Sequence, residues 1–188
     1  MVTGGSSRPI FIQPPNLSDG CVLKDYQLEG VRWMSSLYEN GVSGILADEM
    51  GLEKTIQVVA LLAHLSTMEV NGPYIVVAPL ATLLNWIREF QKWLPSMPVL
   101  HYHGSAADRE RMWKGPLHLR NCRNADFPVI VTSYEMAIKD QNKLMKLGEY
   151  TYLVVDEGQR LKNHRCTLIQ SLKRLPANLE LHHRRIFQ

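Results

Sequence analysis

Cysteine is scarce in this chain. Its three residues, Cys21, Cys122 and Cys166, are odd in number and far apart. That spacing excludes a disulfide framework and a zinc motif, and it points to a reducing compartment. Long apolar runs are missing too: no stretch approaches the ~20 residues of a membrane span. Near the N-terminus, Ile10-Phe11-Ile12 is too short to be the apolar core of a secretory signal. Neither sign of charge dominates. Lys and Arg number 21 against 18 Asp and Glu, a formal net charge of +3, which lends only weak support to a polyanionic partner. The seven histidines do not group with the cysteines; His101 and His103 share a strand face but lack further ligands. What is present is globular: 188 residues, 45% hydrophobic and 21% charged, enough for one ordinary domain with a sizeable core.

Glycine, serine and proline crowd the first 20 residues, which read as a flexible leader, with order beginning near Cys21. The segment KDYQLEGVRWMSSLYE (24–39) spaces Leu28, Val31, Met34, Leu37 and Tyr38 as an amphipathic helix that ends at Asn40-Gly41. Gln27 falls in its first turn; on the residues alone a solvated glutamine is the simpler reading than a base contact.

The chain is organised around GILADEMGLEKTIQ (44–57). Gly44 to Ala47 predicts a buried strand, and Asp48-Glu49-Met50-Gly51-Leu52-Glu53 a turn. Lys54-Thr55 then opens a helix with Ile56, Val59, Ala60 and Ala63 at its apolar positions. Strand, loop, Lys-Thr and helix is the order a phosphate-binding loop requires. A loop running into a helix N-terminus aims several N–H groups at one point, and the helix dipole adds positive potential there. In such a site residues 48–55 surround the nucleotide, Lys54 supplies charge for the outer phosphates and the Thr55 hydroxyl ligates Mg²⁺. Glu53 breaks the pattern, because glycine belongs there. A left-handed backbone costs a non-glycine residue roughly 1–2 kcal/mol. A carboxylate about 4 Å from a phosphate charge costs about 4 kcal/mol at an effective dielectric near 20. A plain strand–turn–helix corner fits the same residues, so the reading needs support from the rest of the chain.

That support comes from four more strand predictions: Tyr74–Ala78, Val99–Tyr102, Pro128–Val131 and Tyr152–Val155. They alternate with helical segments. One is capped by Thr82 and carries Leu83, Trp86, Ile87, Phe90 and Trp93 on one face; the spacing of its tryptophans favours core over base stacking. Another is the polar stretch 105–114. A third is entered through Thr132-Ser133-Tyr134-Glu135, which has capping-box spacing. Arg109, Arg111, Arg120 and Arg123 make the region after the third strand basic, which suits a solvated face as well as a nucleic-acid contact. The alternation predicts an α/β fold, a parallel sheet with helices on both faces. Ligands of such sheets bind at the carboxyl ends of the strands. Those ends here hold 48–55, Pro79–Thr82, Thr132-Ser133 and Asp156-Glu157. An acidic pair directly after an apolar strand suits Mg²⁺ held by Asp156, through water, and an attacking water oriented by Glu157.

In order, Asp25-Tyr26-Gln27-Leu28-Glu29-Gly30, ILADEMGL–KTIQ, Ala78-Pro79-Leu80 with Asn85-Trp86, Tyr102-His103-Gly104, IVTSYE (130–135) and VVDEGQRLKNH (154–164) resemble the first ATPase lobe of SWI/SNF-type chromatin remodellers, within helicase superfamily two. Within these the chain is most similar to the lymphoid-specific helicase group. The resemblance implies a RecA-like lobe, ATP and Mg²⁺ as cofactors, double-stranded DNA and nucleosomes as partners, and the nucleus as location. It implies that Gln27 touches adenine, that Lys54, Asp156 and Glu157 act in hydrolysis, and that Pro79, Thr82, Thr132 and Ser133 face the DNA backbone. Two departures stand out: Glu53 in the loop, and Gln159 where the family has histidine. A third follows Leu179, where the family continues into a buried strand and this chain reads ELHHRRIFQ. The expectation is a lobe over 21–180 that lacks a strand, an exposed sheet edge, and a basic tail over 181–188. The second lobe, with the arginine that completes the ATP site, is expected to be absent. Such a fragment would be unable to hydrolyse ATP alone. The competing expectation is a truncated, non-catalytic module that binds DNA or protein.

Overall fold

The β-branched segments pair as strands of one sheet in a computed structural model, which describes residues 12–48, 53–118, 124–157 and 167–185. The strands are β1 (Gly44–Asp48), β2 (Tyr74–Ala78), β3 (Val99–Tyr102), β4 (Val129–Ser133), β5 (Tyr152–Val155) and β6 (Glu180–Arg185). They run in the order β1-β6-β5-β2-β4-β3, every pair parallel. Seven helices accompany them among the described residues: α1 (Asp25–Glu39), α2 (Lys54–Thr67), α3 (Leu83–Trp93), α4 (Ala106–Lys114), α5 (Tyr134–Lys139), α6 (Gln141–Leu144) and α7 (Thr167–Leu172).

Two cores follow from the strand period of two. Val76, Ala78, Val129, Val131 and Val154 face α1, α2 and α3, where they meet Val31, Val59, Leu62, Trp86 and Phe90. Their neighbours Ile75, Val77, Ile130, Leu153 and Val155 face the other way, toward Phe127, Tyr134, Leu144, Tyr150 and Leu172. Helix α2 is buried without interruption from Ile56 to Ala63, because α1, α3 and the sheet enclose it. Gly30 permits the approach of α1: a Cβ built there would lie 2.0 Å from the Oε1 of Gln57.

Three expectations change. The sheet does not end short after Leu179. β6 fills an inner slot, pairing with β1 from Gly44↔Leu181 to Asp48↔Arg185 and with β5 from Leu153↔Glu180 to Val155↔His182. Backbone groups make those bonds, so a segment without a β-branched run can occupy the slot. The edge strands of the sheet are β1 and β3. β1 is accordingly not buried on both faces, with Leu46 inside and Ile45 54% exposed.

Order also begins before Cys21. The amide of Asn16 donates to Ala63 O (3.1 Å) and Ser66 Oγ (2.8 Å), Ser18 N donates to Trp93 O (2.9 Å), and Leu17 is buried in the first core. These anchors outweigh the loop-like composition around them.

Arg109, grouped with the basic surface residues in the sequence, is buried. Its guanidinium donates to Asp140 and to Gly104 O, and the Asp140 carboxylate also accepts from Tyr102 Oη at 2.6 Å. Burial pushes the Asp140 carboxyl up. The hydrogen bonds from Arg109 and Tyr102 outweigh it, so the group titrates below the usual carboxylate range.

Candidate functional site

Parallel pairing brings the carboxyl ends of the strands to one edge, and two groups of residues gather there. The first belongs to the starts of α1 and α2. Gln27 is 1% exposed, not solvated. Its Oε1 accepts from Lys24 N at 2.9 Å, which ties down the first turn of α1. Its Nε2 donates to Glu53 Oε2 at 3.1 Å, and Lys24 Nζ lies 3.7 Å from the same oxygen. Lys24 titrates above the usual lysine range, chiefly through Tyr26 and also through Glu53. Glu53 precedes α2 with φ 47° and ψ 46°, the left-handed conformation for which glycine is suited. Its carboxylate turns toward α1 and remains half-exposed. The charge that the sequence set against the phosphates is therefore received by Lys24 and Gln27. Next in the chain, Lys54 is buried and Thr55 half-buried in the first turn of α2. Asp48 closes β1. Glu49, Met50, Gly51 and Leu52 lie outside the described residues, as does Gln159.

The second group surrounds Asp156, directly after β5. Asp156 is 8% exposed and its carboxylate is held from several sides. Trp86 Nε1 donates to Oδ2 at 3.0 Å, Thr82 Oγ1 reaches the same oxygen at 3.4 Å, and Glu157 N donates to Oδ1 at 2.8 Å. The Tyr134 hydroxyl donates to Asp156 O. Glu157 follows, half-buried, at φ 50°. Trp86 is wholly buried, as its helical spacing foretold. Its indole hydrogen bond to a residue 70 positions away was not legible in the sequence.

A hydroxyl on Thr55 and carboxylates on Asp156 and Glu157 are hard oxygen donors, the set that Mg²⁺ prefers. A carboxylate can accept from protein donors and from a metal-bound water together. The residues present fit the ion.

The SNF2-related domain family matches residues 26–185. This chain belongs to it. Among its relatives are the ATP-dependent DNA helicase DDM1 of Arabidopsis thaliana, 44% identical over 88% of this chain, and the lymphoid-specific helicase of Homo sapiens, 42% identical over 94%. The chain spans 21% of the length of each. The chromatin-remodelling ATPase INO80 of Saccharomyces cerevisiae is 43% identical over 87% of this chain. A solved structure of the Sulfolobus solfataricus SWI2/SNF2 ATPase core in complex with double-stranded DNA superposes with a TM-score of 0.79 at 27% identity, covering 95% of this chain and 34% of that one. The RecA-like α/β lobe implied by the sequence is the fold of this SNF2-related domain.

The residues expected to face DNA separate in the structure. Pro79 is buried, and Thr82 is half-buried with its hydroxyl shared between Pro79 O (3.0 Å) and Asp156. Thr82 occupies the N-cap position of α3 but makes no side-chain cap. Thr132 is fully buried, donating to Tyr102 O at 2.9 Å. Ser133, equally buried, caps α5 by accepting from Met136 N at 3.3 Å. The capping role falls to Ser133 and not to Thr132. Neither hydroxyl reaches the surface here; both are engaged inside the lobe. The large apolar side chains that face outward near Thr82 in this SNF2-related domain are Leu80 and Leu84, 54% and 55% exposed. Their apolar character gave no sign of it in the sequence.

Proposed function

We propose that this chain is the first, nucleotide-binding lobe of an ATP-dependent translocase acting on double-stranded DNA in nuclear chromatin. Lys54 and the N-terminus of α2 bind the outer phosphates, and Thr55 and Asp156 hold hydrated Mg²⁺. Gln27 stands on the side of the site where a base would lie, and Glu157 orients and deprotonates the attacking water. When bound, Mg²⁺ supplies charge neutralisation at the transferring phosphoryl group. One observation carries the reading: the carboxylate of Asp156 is held by Trp86, Thr82 and Glu157 N on the same sheet edge from which Lys54 and Thr55 open α2. The loop 79–82 approaches the DNA backbone, a contact that positions without reading sequence.

Phosphoryl transfer draws on charge placed on both sides of the nucleotide. These 188 residues offer one side, so on their own they turn ATP over negligibly, with or without DNA. The test is calorimetric titration of Mg-ATP into the chain and into Lys54→Ala. Binding weakened at least about tenfold by the substitution is expected from the loss of a buried phosphate partner. Equal binding by both proteins would remove Lys54 from the site and the reading with it.

A second reading has one observation in its favour: Glu53 holds the amide of Gln27. On that reading the chain is an interaction module for DNA or a protein partner, without catalysis. DNA affinity indifferent to Mg-ATP would select it.

A further inference from the structure

Glu53 does something at this site that a glycine would not. Gln27 is buried, and its carbonyl is committed to Lys24 N, so its amide nitrogen is the group it turns toward α2. The Glu53 carboxylate takes a hydrogen from that nitrogen at 3.1 Å. Lys24 Nζ lies 3.7 Å from the same oxygen. The left-handed backbone at φ 47° sets the side chain on this course. A base acceptor taking the second hydrogen of the amide would sit against a negative charge. From this we infer that Glu53 is a specificity-determining residue that competes with the base for Gln27, so the site takes nucleoside triphosphates and bare magnesium polyphosphate with little regard for the base. The inference rests on the nucleotide reading above.

The amide has two hydrogens, and with Glu53 holding one, repulsion between the carboxylate and a base acceptor at the other offsets the hydrogen bond the base would gain. Removing Glu53 should restore the discrimination. The half-exposure of the carboxylate means that it can be replaced without opening a cavity.

The experiment is a cycle of Glu53→Gly and Gln27→Ala, each protein titrated with Mg-ATP and with Mg-tripolyphosphate. With Glu53 in place, Gln27→Ala leaves ATP affinity within about twofold. In the Glu53→Gly background it lowers ATP affinity by about fivefold to tenfold, the range of one hydrogen bond. Tripolyphosphate affinity stays unmoved by Gln27→Ala in both and serves as the folding control. Should Gln27→Ala disturb that control, Gln27→Glu in the Glu53→Gly background keeps the oxygen that receives Lys24 N and removes the donor. Glu53→Gln, which keeps an acceptor and loses the charge, restores the dependence of ATP affinity on Gln27 as Glu53→Gly does, and parental behaviour of this variant overturns the inference. Equal loss of ATP affinity from Gln27→Ala in both backgrounds overturns the inference and leaves the nucleotide site standing. A Glu53→Gly protein that binds neither ligand overturns the nucleotide reading and the inference together.

Discussion

The two groups at the carboxyl edge are built on opposite plans. Around Asp156, Trp86 and Thr82 are neutral donors, and Trp86 is packed out of water, so the core fixes their geometry. Around Glu53 the partners are a half-exposed carboxylate, an exposed lysine and a strained backbone, with only Gln27 buried. The first arrangement is held by buried packing; the second is half-exposed and screened by salt. A site for phosphoryl transfer has use for both. On the nucleotide reading proposed above, the acid that would position a metal is the rigid one, and the wall on the base side is the one that can adapt.

Buried and exposed ion pairs elsewhere in the lobe repeat the contrast, and there the largest effect is expected. Arg109 and Asp140 are 5% and 10% exposed at the side chain, whereas Lys143 and Glu110 are 43% and 50%. Asp140→Asn leaves the buried guanidinium without its counter-charge, a loss of about 3–5 kcal/mol in urea unfolding. The pH dependence follows from the lowered Asp140 titration. Stability from this group is complete above the unfolded carboxylate value near ~4, and it is lost as pH falls through the lower folded value. The acid limb of stability against pH should be steeper in the parent than in Asp140→Asn. Equal limbs would place Asp140 among the exposed, screened pairs.

Trp86→Phe comes next. It keeps an aromatic ring in the core and withdraws one donor from Asp156, at a cost of about 1–3 kcal/mol. If the stiff wall serves the metal, the tightening of ATP binding by Mg²⁺ falls in this variant while Mg-free ATP binds as before. An unchanged Mg²⁺ effect would make Trp86 a packing residue only.

Glu53→Gly, the smallest effect, has the opposite sign. Relief of the left-handed strain should stabilise the fold by about 1 kcal/mol. Thermal unfolding checks it, and a destabilised variant would show that Lys24 and Gln27 repay more than the backbone costs.

Much of this contrast was readable beforehand, for reasons of range. The glycine-demanding position at Glu53 follows from local loop geometry, and the left-handed φ confirms that demand. The β-branched strands and the Asp-Glu pair after β5 are likewise local patterns. What stayed hidden depends on partners distant in the chain. Trp86 meets Asp156 across 70 residues, Arg109 meets Asp140 across 31, and Asn16 meets Ala63 across 47. Strand order is of the same kind, because nothing in ELHHRR announces a slot between β1 and β5.

That slot bears on how the molecule comes into being. Among the described residues β1 joins the sheet only through β6, a segment far later in the chain. While the chain is being synthesised, β2, β4 and β5 can assemble, but the strand that leads into the Lys54 loop has no neighbour until residue 180 has emerged. Pairing across so long a separation is slow, and an unpaired strand is open to the wrong partner. The strand that leads into Lys54 therefore waits longest for a partner during synthesis, and it is the first to lose one if β6 is cut away.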